Sequence, residues 1–144
     1  MKNYFQNLLL FTGLLLLMNC STQKISSEHL NREWMLVEFQ GFTKDLMIKN
    51  KAKLDLSKTT TSDKKFTAKM GCNNIFGEVD FIGTGKVTFS KIGSTEMFCA
   101  QNMELETAFV QILPTFTSYQ ITGHYLTLTN QKGDLMKFIA ADWD

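Results

Sequence analysis

Only one segment of this chain carries a helical period, and short runs that alternate between apolar and polar residues flank it on both sides. Over 102–113, Leu105, Ala108, Phe109, Ile112 and Leu113 recur at helical spacing and form one apolar stripe. Asn102 is the expected cap, Glu104 and Glu106 suit the positive end of the helix dipole, and Pro114 ends the helix. Such a stripe needs an apolar surface to sit on. The alternating runs at 32–39, 52–57, 66–70, 78–82, 86–90, 115–122, 125–129 and 135–140 supply one. In the first of these, Trp34, Leu36 and Glu38 share one face, and Met35, Val37 and Phe39 share the other. Gly71-Cys72-Asn73-Asn74 marks a bend or bulge, and Gly77 marks a break. Gly83-Thr84-Gly85, Gly123-His124 and 130–133 mark turns. Residues 58–65 read as a loop, and the apolar residues at 46–48 are too few to assign. The expected fold is α+β and mostly β: a strongly curved antiparallel sheet or small barrel of about eight short strands with one helix packed on it.

The first twenty residues stand apart. Lys2 is followed by an apolar run over 8–18, broken only by Thr12 and Gly13 and too short to cross a bilayer. That run fits the core of a secretory signal. It ends on Leu17-Met18-Asn19-Cys20, which resembles a bacterial lipoprotein box, although Asn19 departs from the usual small residue. The expected organisation is a lipoprotein-type signal peptide over 1–19, a lipidated tether over 20–31 starting at Cys20, and one domain over 32–144. The alternative is an ordinary signal peptide that leaves Cys20 unmodified. A cysteine carrying several acyl chains anchors stably. The absence of an aspartate at position 21 is compatible with outer-membrane sorting, so the expected location is the cell envelope, on the outer membrane and facing the periplasm.

With the leader in place, Cys72 and Cys99 enter an oxidising compartment, where buried cysteines tend to pair. A bridge between them would close a loop of about 28 residues and stabilise by roughly 3–4 kcal/mol on the chain-entropy estimate. The other reading is two reduced core cysteines acting as small hydrophobes. The remaining chemistry is mostly negative. A net charge of +1 makes no electrostatic case for nucleic acid. Two cysteines without paired histidines fall short of a zinc site, and no other metal or cofactor is expected. His29 lies in the tether and His124 in a turn, so neither serves a cysteine nucleophile. Glu104 and Glu106 are two apart and do not share a helix face. The glycines at 83 and 85 lack the Gly-Lys-Ser/Thr sequence of a phosphate loop. The chain is therefore expected not to be an enzyme.

Taken together, Trp34-Met35-Leu36, then Gly71, Cys72, Asn73 and Gly77, then Thr95, Met97 and Cys99, Glu106 in the helix, and finally Gly123, Leu126 and Leu128 resemble the META domain, the family of HslJ-like bacterial heat-shock lipoproteins. The resemblance implies a small, mostly antiparallel domain on secreted or lipid-anchored proteins linked to envelope stress. It brings no catalytic residues, and its motif positions read as architectural. Two functions follow as expectations. The first is a binding or structural module that contacts another envelope component. The second is a carrier of a small apolar or lipid-like ligand inside the curved sheet, lined by Met and Phe.

Overall fold

The computed structural model describes residues 29–59, 63–97 and 103–143. The expected signal peptide, Cys20, Cys99 and the expected cap Asn102 lie outside those residues. Among the described residues eight strands close into a barrel in chain order. They are β1 (Glu33–Phe39), β2 (Lys53–Asp55), β3 (Lys65–Lys69), β4 (Asn74–Ile82), β5 (Lys86–Ser94), β6 (Ser118–Thr122), β7 (Tyr125–Thr129) and β8 (Leu135–Ala140). Each pairs antiparallel with the next, and β8 returns to β1 with Trp34 opposite Ala140 and Phe39 opposite Met136. Closure removes the exposed edges that an open sheet would present to other chains. The thinnest seam is β5–β6, where Lys86 opposite Ser118 is the one register pair. Flanking bonds from Val87 N–H to Thr117 C=O and from Tyr119 N–H to Gly85 C=O extend it. The connection across this seam carries helix α2 (Met103–Ile112) and a 3-10 turn (Leu113–Thr115) with Pro114 in its first turn.

The inward faces fill the barrel. Trp34, Leu36 and Phe39 of β1 are buried together with Phe66, Val79, Phe89, Leu126, Leu128 and Phe138. Leu105, Phe109 and Leu113 close the core from the helix, as the stripe requires. Phe66 and Phe89 meet edge to face at 5.5 Å, a favoured aromatic geometry. The packed domain begins before the expected boundary at 32. Leu30 is buried and its carbonyl accepts the Trp34 indole N–H at 3.0 Å, so this residue belongs to the core rather than to the tether.

One unassigned segment resolves, and two local expectations need correction. Residues 44–49 form a short helix, α1 (Lys44–Lys49), capped by the Thr43 side chain and holding Met47 in the core. Glu38 does not share the buried face of Trp34 and Leu36. The register with β8 shifts between Leu36 and Glu38, and this bulge turns Phe39 into the core and leaves Glu38 exposed. Gly77 does not break a strand. It lies inside β4, which continues from the bend to the hairpin although its register with β5 shifts between Phe76 and Glu78, and β5 continues past 90 to Ser94. The glycine is there because the chain is crowded: a Cβ at 77 would lie 2.7 Å from Phe66 Cε1 and 2.9 Å from the Ser90 carbonyl oxygen. At the other end of the sheet, Asp55 closes β2 by accepting the Ser57 N–H at 2.8 Å.

Two outcomes follow. Gly77→Ala is expected to destabilise by about 1–3 kcal/mol, because backbone and a buried ring must both move; urea unfolding measures it, and an unchanged midpoint would remove the crowding argument. Asp55 tests the acid limb. Its burial alone would raise the carboxyl pKa, but the hydrogen bonds from Ser57 and the charges of Lys53 and Lys58 prevail and lower it. A lowered folded-state pKa gives stability that is present above the unfolded value of about 3.9 and is lost as pH falls through the lower folded value. Asp55→Asn is therefore expected to flatten the loss of thermal stability below pH 4, read from melting curves across the acid range.

Candidate functional site

The family-motif residues converge at one corner of the barrel. The turn between β3 and β4 presents Cys72 and Asn73, the chain leaving β5 presents Thr95 and Met97, and the first turn of α2 presents Glu106. Glu106 is 3% exposed, and its carboxylate is saturated by neighbours. Oε2 accepts the main-chain N–H of Asn73 at 2.8 Å and that of Cys72 at 3.3 Å. Oε1 accepts the Asn73 side-chain amide at 2.8 Å. On its other side the Asn73 amide oxygen accepts the Thr95 hydroxyl at 3.0 Å and the Met97 N–H at 2.7 Å. Thr95 completes the ring by accepting the Asn74 N–H at 3.1 Å. Asn50, at the end of α1, ties in from behind by donating to the Met70 carbonyl at 2.9 Å.

The chemistry of this cluster is that of a lock. A carboxylate removed from water is tolerated when charge-assisted hydrogen bonds replace its hydration. Here two main-chain donors and one amide do so, at the helix end where the dipole favours negative charge. Every named donor aims at an acceptor within the cluster, so the motif residues spend their polar groups on one another. Of the expected site residues, Gly71, Cys72, Asn73, Thr95 and Met97 gather here. Trp34 sits in the core and Gly77 under Phe66. Cys99 lies outside the described residues, two positions beyond Met97. His124 stacks on Trp143 in the β6–β7 turn, away from the cluster. The sequence reading placed Glu106 as a dipole complement and missed it as the buried hub. Among the described residues no group of three or more His, Cys, Asp and Glu is placed to hold a metal ion.

Beside the lock an open groove of about 540 Å³ runs between the end of β5 and α2, lined by Met97, Met103, Thr107 and Val110. A second cleft, of about 580 Å³, lies outside β1–β3 next to α1 and carries four lysines.

The META domain model matches residues 27–143. The chain belongs to the META domain family. Solved structures share the fold seen here. An NMR structure of a protein from Burkholderia xenovorans superposes with a TM-score of 0.61 at 23% identity, covering 81% of this chain and 88% of that one. The crystal structure of a DUF4847 family protein from Bacteroides vulgatus does so at 0.55 and 15% identity, covering 82% and 99%. At these identities the likeness bears on the fold alone. No curated protein matches the chain.

Removing the hub is expected to be costly. Glu106→Gln places an amide donor among donors, and Asn73→Ala strands the Thr95 hydroxyl and the Met97 N–H. Each is expected to lose about 2–4 kcal/mol. The double variant should lose clearly less than the sum, because both changes break the same network. Chemical denaturation of the four proteins measures the coupling, and strict additivity would show that the residues do not act together.

Proposed function

We propose that this META domain is a non-catalytic binding or structural module, carried on a lipid-anchored protein of the cell envelope and linked to envelope stress. The observation that carries the reading is the self-saturation of the motif. Its one buried carboxylate is spent on main-chain amides and Asn73, which suits a structural role and leaves a proton-transfer role without a reactive partner. The proposed anchor is Cys20, acylated after removal of 1–19, with the domain on the outer membrane and facing the periplasm. The apolar run that ends at this cysteine supports that assignment. We also propose that Cys72 pairs with Cys99. Cys72 is not a free thiol. In addition, the Asn73–Met97 bond holds the chain two residues before Cys99 next to Cys72, and two extended residues reach only about 7 Å. The alternative of an apolar ligand carried inside the sheet is weakened by the interior itself, which Trp34, Phe66, Phe109, Phe138 and their neighbours fill.

The test is metabolic labelling of the native host with an alkyne-tagged fatty acid. The full-length gene product is expected to be labelled and membrane-bound, and Cys20→Ser to be unlabelled. Label retained in Cys20→Ser, or an unlabelled wild-type protein with its leader intact, would contradict the anchored reading.

A further inference from the structure

A chain whose net charge is +1 gathers four of its fourteen lysines at one cleft. The cleft outside β1–β3 is lined by Lys49, Lys51, Lys53 and Lys69 together with Glu33, Met35 and the main chain at Gly71 and Cys72. Its floor is a row across three strands, Met35 opposite Lys53 and Lys53 opposite Lys69. Both Lys53 and Lys69 belong to the outward set of their strands, so two lysines stand opposite each other on neighbouring strands. Like charges in that position destabilise a sheet. Glu33 neutralises only Lys53, at 2.6 Å. Among the described residues no carboxylate lies within ion-pair distance of Lys49, Lys51 or Lys69.

Lys49 has a local reason for its place, since it complements the negative end of the α1 dipole. Lys51 and Lys69 do not. Lys51 adopts a left-handed backbone at φ 49°, in the turn where its N–H bonds the Ile48 carbonyl. Glycine or asparagine occupies such a position at lower cost. The chain thus carries a lysine in a left-handed backbone and a cross-strand lysine without a carboxylate partner at the same cleft.

We propose that this cleft is a binding site for a phosphate-bearing dianion, held by Lys51 and Lys69 with Lys49 and Lys53 at its sides. Three uncompensated ammonium groups around one cavity match the charge of a phosphate or diphosphate group and offer several donors at once. A bound dianion supplies the counter-charge that Lys49, Lys51 and Lys69 lack. The same chemistry is found on an anionic lipid headgroup and on a free phosphate compound. The site does not depend on the anchor at Cys20, so the two readings stand or fall separately.

The experiment is thermal unfolding of the full-length protein in a neutral detergent, with pyrophosphate as the probe and sodium chloride of equal ionic strength as the control. Pyrophosphate is expected to raise the melting temperature well beyond the chloride control, as ligand binding to the native state requires. Lys51→Gly and Lys69→Thr are expected to lose that increment while melting, without ligand, at or above the wild-type temperature. A gain no larger than that from chloride, or a gain retained in both variants, overturns the proposal. Amide chemical shifts of the wild-type protein give a second readout: pyrophosphate should move residues 49–53 and 69–72, and shifts confined elsewhere also overturn it. Short-chain phosphatidylglycerol, set against phosphatidylcholine, separates the sources. A matching gain with the anionic lipid supports the headgroup, and a gain with pyrophosphate alone supports a soluble phosphate compound.

Discussion

The structure depends on a carboxylate taken out of water. Glu106 could not be buried as it is without replacement of its hydration, and the replacement comes from two successive main-chain amides and Asn73. Those amides belong to a turn more than thirty residues earlier in the chain, so the bond network fixes where α2 lies relative to β3 and β4. Asn73 passes the constraint on to Thr95 and Met97. Three pieces of chain are thereby held at one corner by charge-assisted and amide bonds, where apolar contact alone would leave their relative positions loosely defined. This corner lies next to the connection between β5 and β6, the seam with the least strand pairing. A barrel that closes weakly there gains from a lock on the helix that crosses it.

The rest of the fold was legible to the extent that period decides it. Strands β7 and β8 follow their alternation to the residue, and the stripe of α2 is the buried face. What the sequence obscured were features set by single contacts across the barrel. The bulge after Leu36 exchanges Glu38 for Phe39, and nothing local in the sequence of β1 announces it. Gly77 looks like a strand break because glycine usually is one, whereas its role is to let Phe66 and the Ser90 carbonyl come close. Helix α1 is six residues long, below the length at which a helical period can be counted.

The site was legible as a motif and illegible as a mechanism. Gly71, Cys72, Asn73, Thr95 and Met97 stand out by their spacing, but a glutamate in the first turn of a helix has an ordinary explanation in the dipole. Only the fold reveals that its carboxylate faces inward. The lysine cleft was hidden for a different reason. Lys53 and Lys69 are unremarkable in their own strands, and their opposition appears only once β2 and β3 are in register. Whole-chain charge conceals local charge.

The account rests on the claim that Glu106 holds the corner of the barrel closed, and native-state hydrogen exchange tests it most directly. The N–H groups of Asn73 and Met97 are bonded within the Glu106–Asn73 network. They are predicted to exchange at the rate of the most protected core strands, by global unfolding. Fast exchange at both sites, while β1 and β8 remain protected, would show that the corner opens on its own and that the buried carboxylate does not organise the fold.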